Sequence, residues 1–150
     1  MDKHPRILVV DDDETIRTTM KAILQDEGYI VDLAATGKEA IQKTTEKNYN
    51  IALLDIRLPD MEGVELLKLL KDGVPRTRKI MVTGYPSMQN AISALNKNAD
   101  AYLLKPVDVE KLLATVKQQI TDQENERKFS EEKVAEFIES RVKEVSTNSL

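Results

Sequence analysis

Short apolar runs alternate along the chain with longer segments in which apolar residues recur at helical spacing. The runs are RILVV, YIVDLA, NIALLD, KIMVT and DAYLLK. Strands that alternate with helices in short units form a parallel sheet with helices on both faces. ILVV and IALL are uniformly apolar, as strands covered on both faces should be, whereas Asp32 interrupts the second run, which is typical of an edge strand. We therefore predict an α/β fold, a flavodoxin-like doubly wound (βα)5 three-layer sandwich with a parallel sheet of strand order 2-1-3-4-5.

The predicted helices lie between these runs. The stripes of apolar residues at helical spacing are Ile16, Met20, Ile23 and Leu24; Val64, Leu67 and Leu70; Met88, Ala91, Ile92 and Leu95; and Val109, Leu112, Leu113, Val116 and Ile120. GKEAIQKTTEK is a weaker helical segment. Gly28 and Asn98 stand where helices should end, and Pro86 and Pro106 stand near helix starts. These signals agree with the alternating pattern.

The composition changes after Ile120. The remaining segment is strongly charged, and neither Gly nor Pro occurs from Val107 to the end. We predict one domain over residues 1–121 and a charged, helical C-terminal extension over residues 122–150. Either the last helix of the domain continues into the extension, or Ser130 begins a separate helix as its N-cap. The extension has a narrow apolar stripe, which consists of Val134, Ile138, Val142 and Val145. Three interpretations of the extension stay open: a solvated extension, a dimerisation or docking helix, and a connection to an effector domain.

Charge and residue usage exclude several classes of protein. The net charge is −4 and the sequence pI is about 5.2, which argues against non-specific binding to nucleic acid or anionic membranes. There is no cysteine, so disulfides and thiolate zinc sites are excluded. The N-terminal MDKHPR has no apolar segment of a signal peptide, and no apolar run approaches the roughly 20 residues of a membrane span. We expect a cytoplasmic protein with no membrane insertion and no direct contact with nucleic acid.

Polar and charged side chains follow four of the five predicted strands. Asp11 and Asp12 follow the first strand, Asp55 ends the third, Thr83 ends the fourth and Lys105 follows the fifth. Each of these residues alone has a structural explanation in a turn, a helix start or a solvated surface. Because the carboxyl ends of parallel strands share one edge, where ligands bind in such folds, we expect all five side chains to meet in one crevice.

Three aspartates in one crevice repel one another unless a cation lies among them. Asp13, the third member of the DDD run, is explained as the N-cap of the following helix. Asp11, Asp12 and Asp55 bring a charge of −3, which one Mg²⁺ and Lys105 would balance. Hard carboxylate oxygens suit Mg²⁺, and a carboxylate beside such an ion can act as a nucleophile toward a phosphoryl group. We therefore predict Mg²⁺ as the cofactor and Asp55 as the nucleophile.

Four motifs closely resemble the receiver domain of two-component response regulators. ILVVDDDETIR resembles the first strand and acid pair of the family, and ALLDIRLPDMEG resembles its phospho-acceptor loop. KIMVTGYPS resembles the switch strand and loop, and AYLLKPVDVEKL resembles the aromatic, lysine–proline and last-helix segment. The motifs occur in the family's order, and the resemblance covers roughly residues 6 to 121. It implies a phospho-accepting signalling protein.

The resemblance assigns roles to the residues of the crevice. It implies that Asp55 is the phosphorylated residue and that Lys105 pairs with the phosphoryl group. It implies that Asp11 and Asp12 are the acid pair, with Asp12 the more direct Mg²⁺ ligand, and that the backbone carbonyl of Arg57 supplies a further ligand.

The resemblance also implies a conformational switch. Thr83 corresponds to the switch hydroxyl, and Tyr102 corresponds to the aromatic residue that changes rotamer with it. The peptide bond between Lys105 and Pro106 is expected to be cis. Tyr85 and Arg57 flank the phosphorylation site at positions that tune the lifetime of the phosphoryl group. Gly84 follows the switch threonine at a position where a small residue, often alanine, is usual, and we expect this glycine to loosen the loop.

The function implied is that of a signalling switch rather than of an enzyme with a separate substrate, since such a domain promotes only its own phosphotransfer and dephosphorylation. Its partners would be a sensor histidine kinase or phosphotransfer protein and a downstream protein or a second copy in a homodimer. His4, the only histidine, lies in the N-terminal tail, so the phosphoryl donor must be another protein. The alternative is a degenerate receiver that binds proteins independently of phosphorylation.

Two other classes fit the sequence poorly. A phosphatase of the haloacid-dehalogenase type needs a second aspartate two positions after the nucleophile, where this chain has Arg57. A flavodoxin needs a phosphate loop rich in Ser, Thr and Gly after the first strand, where this chain has DDDET. Neither a P-loop nor a G-x-G-x-x-G motif is present.

Overall fold

Five parallel strands form the sheet of the computed structural model, which describes residues 4–84 and 99–148, with side chains described to residue 145. The strand order is β2-β1-β3-β4-β5, and every neighbouring pair is parallel, which confirms the predicted fold and strand order. The strands are β1 (Arg6–Val10), β2 (Ile30–Ala34), β3 (Ile51–Asp55), β4 (Arg78–Thr83) and β5 (Ala101–Leu104).

Four helices accompany the sheet in the described part of the chain. They are α1 (Glu14–Asp26), α2 (Gly37–Glu46), α3 (Gly63–Leu69) and α4 (Val109–Asn148). The stripe Met88–Leu95 and the predicted helix boundaries at Pro86 and Asn98 lie outside the described residues.

Two aliphatic layers cover the sheet, one on each face. Alternate residues of β1 and β3 point to opposite faces, so Val9 and Leu53 pack on one side while Leu8 and Leu54 pack on the other. Helices α1 and α4 cover the first face through Met20, Leu24, Leu112 and Val116. Helices α2 and α3 contribute to the second face through Ala40, Leu66 and Leu67. The central strands are therefore buried on both sides, as their uniformly apolar sequences predict.

The ends of α1 follow the predicted signals. Asp13 is the N-cap, and its side chain accepts a hydrogen bond from the Ile16 backbone N–H at 3.2 Å. Gly28 follows the C-terminus with φ +95°, a left-handed conformation that side chains with a Cβ rarely adopt. Its N–H donates to the Gln25 carbonyl at 2.9 Å. The Asp13 side chain is therefore engaged in capping α1.

Helix α3 differs in detail from its predicted stripe. Leu67 and Leu70 are buried as predicted, but Leu66 is fully buried whereas Val64 is only partly buried. The helix begins at Gly63, where an added Cβ would overlap the backbone oxygen of Asp55. This close approach leaves no room for a side chain at residue 63, and a spacing rule based on apolar residues alone does not detect it.

A polar network joins the amino edge of the sheet to α4. The Gln123 side chain is buried, donates to the backbone oxygens of Asn50 and Arg76 at 3.1 and 2.8 Å, and accepts from the Asn50 amide at 2.9 Å. Asp100, just before β5, accepts two hydrogen bonds from Arg76 at 2.8 and 3.0 Å and one from the Lys79 backbone N–H at 2.8 Å. The bonds of Gln123 fasten α4 to the body of the protein beyond residue 121.

Helix α4 continues without interruption through Ser130, which settles the choice that the sequence left open between one helix and two. Residues 128–145 are all exposed, including Val134, Ile138, Val142 and Val145. The predicted boundary at residue 121 lies inside this helix and stays a prediction. Within the described ranges, no helix combines the length and apolarity of a membrane span.

Candidate functional site

Three aspartates meet at the carboxyl edge of the sheet, as predicted. Asp11 and Asp55 are buried and Asp12 is exposed, and one carboxylate oxygen of each lies within 4.8 Å of the others. An open cavity of about 520 Å³ lies against them; its lining includes Asp11, Asp12, Asp13, Asp55, Arg57, Gly84 and Lys105. The structure therefore brings the predicted acidic cluster and the predicted lysine together.

Asp11 is held from its backbone and from its side chain. Its N–H donates to the Ala34 carbonyl at 3.1 Å, and its carbonyl accepts from Arg17 Nη1 at 2.7 Å. Its Oδ1 accepts from the Asp13 backbone N–H at 2.9 Å. Its Oδ2 is 2.8 Å from Lys105 Nζ. The Asp11 carboxylate is thus fixed in direction before any ligand enters.

Lys105 lies between the two buried carboxylates. Its Nζ is 2.8 Å from Asp11 Oδ2 and 3.5 Å from Asp55 Oδ2. Burial alone would lower the pKa of Lys105, but the hydrogen bond to Asp11 and the charge of Asp55 outweigh it, so the pKa is raised. The ammonium is therefore kept charged at neutral pH. The Lys105–Pro106 peptide bond is cis, as the resemblance implied.

Asp55 is the carboxylate whose ionised form is disfavoured. Burial raises the pKa of Asp55, and the charge of Asp11 raises it further. Lys105 and the hydrogen bond from the Arg57 backbone N–H to Asp55 Oδ1, at 3.4 Å, lower the pKa but do not cancel the increase. The folded protein thus contains an acid that additional positive charge would stabilise as a carboxylate.

Thr83 ends β4 with a fully buried side chain, and its carbonyl accepts from the Lys105 backbone N–H at 2.7 Å. Strand alternation places Thr83 on the same sheet face as Met81, which is the register partner of Tyr102. Tyr102 is 46% exposed. The two predicted switch residues therefore share a face. Tyr85 and the rest of the GYPS loop beyond Gly84 lie outside the described residues.

The loop between β3 and α3 forms the rim of the cavity through Arg57, Leu58 and Pro59. The Gly63 N–H donates to the Ile56 carbonyl at 2.6 Å, which closes the loop at its base. Arg57 stands at the predicted place, and the role of its carbonyl stays a prediction.

The tip of this loop contains a residue that the sequence did not single out. Asp60 accepts hydrogen bonds from the backbone N–H groups of Gly37 and Lys38, both at 2.9 Å. The available signal was an aspartate in a loop, which is common, and its partners lie more than twenty residues away in the sequence.

The donor set fits a hard divalent cation. Three carboxylates at this separation offer only oxygen ligands, and Asp12 is exposed to solvent, which can supply the further ligands that such an ion takes from water. The acidic cluster points to the same conclusion, since its three carboxylates bring more negative charge than Lys105 neutralises.

Sequence comparisons give a consistent result. The sequence model of the response regulator receiver domain matches residues 7–117. The transcriptional regulatory protein ZraR of Klebsiella oxytoca is 42% identical over 110 residues, which are 73% of this chain and 25% of ZraR. The transcriptional regulatory protein DltR of Streptococcus agalactiae is 34% identical over 112 residues, 75% of this chain and 50% of DltR. The chain thus corresponds to about a quarter of the length of ZraR and half that of DltR.

Solved structures share the fold over most of the chain. A CheY-like response regulator receiver domain protein from Methanospirillum hungatei is 48% identical, with a TM-score of 0.76, covering 83% of this chain and 99% of that one. The response regulator TrrA of Thermotoga maritima, solved in complex with Mg²⁺ and BeF, is 34% identical with a TM-score of 0.69, covering 77% of this chain and 98% of that one. Motifs, strand order, crevice and relatives agree, and the chain belongs to the response regulator receiver domain family.

Proposed function

We propose that this protein is a phospho-accepting switch of a two-component phosphorelay, in which Asp55 receives a phosphoryl group in a Mg²⁺-dependent reaction. The donor is a phosphohistidine on a sensor histidine kinase or on a phosphotransfer protein. The observation that carries the proposal is the position of Lys105 Nζ, 2.8 Å from Asp11 and 3.5 Å from Asp55, at the edge of a pocket with three carboxylates.

The metal would be held by the carboxylates of Asp11, Asp12 and Asp55 and by the backbone carbonyl of Arg57. When bound, Mg²⁺ supplies positive charge against the phosphoryl oxygens. The complex of the related TrrA with Mg²⁺ and BeF supports this choice of cofactor. The exposed position of Asp12 in an open cavity suits an ion that keeps several waters.

The residues of the chain divide the chemistry among them. An oxygen of Asp55 forms a bond to phosphorus while the bond from phosphorus to the donor imidazole nitrogen breaks and that nitrogen keeps the electron pair. Lys105 is already charged and is oriented by Asp11, so its ammonium can pair with an oxygen of the transferred phosphoryl group with little reorganisation. The Arg57 N–H lies at the opposite oxygen of Asp55 and holds the carboxylate in one orientation.

Phosphorylation would change the populations of two conformations. The acyl phosphate brings additional negative charge and acceptor oxygens, and the hydroxyl of Thr83 can donate to one of them. Because Thr83 and Tyr102 share a sheet face, movement of the threonine changes the space open to the tyrosine. Tyr85 and Arg57 are proposed to set the lifetime of the phosphoryl group.

The output is proposed to be contact with a downstream protein or a second copy, without direct contact to nucleic acid, in the cytoplasm. The regulators ZraR and DltR are longer proteins, so their activities as transcriptional regulators do not transfer to this chain by similarity alone.

Exposure to acetyl phosphate and Mg²⁺, followed by intact-protein mass spectrometry, tests the chemistry. Wild type should gain one phosphoryl group, and Asp55→Asn should gain none. Asp13→Asn is the matched control, because it alters the same DDD run but keeps an oxygen that can cap α1. Phosphorylation of Asp55→Asn at the wild-type level would refute the assignment. A wild type that stays unmodified with both acetyl phosphate and histidine kinases would favour the phosphorylation-independent module.

A second comparison tests the switch. Thr83→Ala should be phosphorylated at a rate within a few-fold of wild type but should lose the change in Tyr102 side-chain chemical shifts that beryllofluoride and Mg²⁺ cause in wild type. Thr83→Ser, which keeps the hydroxyl, should retain that change. An equal change in Thr83→Ala and wild type would mean that the signal leaves Asp55 by another route.

A further inference from the structure

Asp60 has no part in the chemistry proposed above, yet its carboxylate joins the β3–α3 loop to α2 by two hydrogen bonds. Its Oδ1 accepts from the Gly37 N–H and its Oδ2 from the Lys38 N–H, both at 2.9 Å. These are the first two N–H groups of α2, which have no carbonyl partner within the helix. Each carboxylate oxygen therefore satisfies one donor, and the charge lies at the positive end of the helix dipole.

Met61, the next residue, makes a second contact with the same turn of α2. Gly37 is buried, and a Cβ added there would overlap the Met61 sulfur and its neighbouring carbons. The absence of a side chain at residue 37 thus makes room for Met61. Two consecutive loop residues, one through hydrogen bonds and one through packing, fasten the loop to α2.

The loop itself is closed by short-range contacts, so its tip and base move together. Leu58 N–H donates to the Met61 carbonyl at 3.2 Å, and Gly63 N–H donates to the Ile56 carbonyl at 2.6 Å. Arg57 and Glu62 form an isolated antiparallel bridge between the two sides. The result is a small hairpin with Asp60 at its tip and Arg57 at its base, next to Asp55.

We propose that Asp60 is a positioning residue for the acidic pocket: by anchoring the hairpin to α2, it fixes the backbone of Arg57 against Asp55 and the metal position. This inference rests on the proposed function, because it assigns the effect of Asp60 to Mg²⁺ binding and phosphorylation. Linkage makes the effect reciprocal, so occupation of the pocket strengthens the bonds from Gly37 and Lys38 to Asp60.

Mg²⁺ titration by calorimetry tests the direction from Asp60 to the pocket. Asp60→Ala should raise the Kd for Mg²⁺ about tenfold, the lower end of the usual effect for groups that orient ligands from the second shell. Asp60→Asn keeps one acceptor oxygen but not the charge, so its Kd should lie between those of Asp60→Ala and wild type. The phosphorylation rate at subsaturating Mg²⁺ should follow the same order, and the rates should converge at saturating Mg²⁺.

Thr36→Ala is the matched control. The Thr36 hydroxyl caps the same helix by accepting from the Glu39 N–H at 3.1 Å, a bond that lies at the start of α2 and does not include a hairpin residue. This variant should lower the melting temperature and leave the Kd for Mg²⁺ unchanged. An equal loss of Mg²⁺ affinity in both variants would reduce Asp60 to a general stabiliser of α2, and a wild-type Kd in Asp60→Ala would overturn the proposal directly.

Amide hydrogen exchange of wild-type protein tests the reciprocal direction without any substitution. Addition of Mg²⁺ and beryllofluoride should slow exchange of the Gly37 and Lys38 N–H groups about tenfold, the factor expected from the Mg²⁺ effect. Unchanged exchange, with the pocket demonstrably occupied, would overturn the coupling. A wild type that binds no Mg²⁺ and accepts no phosphoryl group would instead overturn the proposed function, and the role of Asp60 with it.

Discussion

The two edges of the sheet hold carboxylates in opposite electrostatic settings, with Asp55 buried at one edge and Asp100 partly buried at the other. At the carboxyl edge, burial and the charge of Asp11 raise the pKa of Asp55. At the amino edge, burial alone would raise the pKa of Asp100, but hydrogen bonds from Arg76 and the Lys79 N–H, with the charge of Arg78, lower it overall. The carboxyl edge thus disfavours the ionised form of Asp55, whereas the amino edge favours the ionised form of Asp100.

The difference distinguishes a carboxylate that stabilises the fold, Asp100, from one that belongs to the candidate site, Asp55. Asp100 has all its partners within its own chain, so ionisation strengthens the folded state. Asp55 shares one lysine with a second carboxylate, so ionisation weakens the folded state until positive charge is added. A site with the proposed cation-binding role cannot be neutralised in advance, and we expect the cost to appear as lower stability of the metal-free protein.

Removal of the amino-edge carboxylate should have the largest effect on stability. Asp100→Ala leaves Arg76 and the buried Lys79 N–H without their acceptor, so the free energy of unfolding should fall by about 3 kcal/mol. Urea denaturation measures this loss. Asp26→Ala, which removes an exposed carboxylate, is the control and should change the value by less than about 0.5 kcal/mol. Equal small losses in both would show that the network contributes nothing.

Gln123→Ala should have the next largest effect. The substitution removes two donors and one acceptor from a buried position, so the free energy of unfolding should fall by about 2 kcal/mol. Gln118 lies on the same helix but is exposed and bonded only to Asp122 among the described contacts, so Gln118→Ala is the matched control. If the two substitutions lower the free energy of unfolding equally, the cooperatively folded unit ends before residue 123.

The carboxyl edge should respond with the opposite sign. Asp55→Asn keeps the shape and removes the disfavoured charge, so metal-free protein at pH 7 should gain about 1 kcal/mol in the free energy of unfolding. Asp12→Asn, at the exposed member of the cluster, should change it less. With saturating Mg²⁺, wild type should be stabilised and Asp55→Asn much less so. A metal-free Asp55→Asn less stable than wild type would contradict the comparison.

The smallest effect is a two-part dependence of stability on pH, worth about 1 kcal/mol or less in each part. Because the folded pKa of Asp55 is raised, its contribution increases as the pH falls through that pKa toward the ordinary value of 3.8. Because the folded pKa of Asp100 is lowered, its contribution is lost as the pH falls below 3.8 through that pKa. The difference in the free energy of unfolding between wild type and Asp55→Asn, plotted against pH, should show only the first dependence. The difference between wild type and Asp100→Asn should show only the second. The opposite assignment would contradict the comparison of the two edges.

The sequence was sufficient to predict the sheet and the convergence of side chains at its carboxyl edge. Uniformly apolar runs identified the central strands, Asp32 identified the edge strand, and the strand ends then placed Asp11, Asp55 and Lys105 together. These inferences depend on local periodicity and on a rule of topology, both of which can be applied to a single sequence.

The contacts that the sequence could not predict join residues far apart in the chain. Asp60 binds the start of α2, and Gln123 binds Asn50 and Arg76, although neither residue differs in kind from its polar neighbours. Ser130 was equally compatible with a helix start and a helix interior. In each case the decision depends on which backbone groups arrive nearby in three dimensions, and local sequence does not contain that information.

The uninterrupted helix α4 has a mechanical consequence. Its part beyond Glu126, which accepts a hydrogen bond from Arg78 at 2.8 Å, ends at Asn148 and is about 33 Å long at a rise of 1.5 Å per residue. If α4 tilts by about 5° where Glu126 is bonded to Arg78, its far end moves by about 3 Å on that length. A tilt of α4 that is too small to alter packing in the body would therefore move the end of the exposed helix far enough to make or break a contact there.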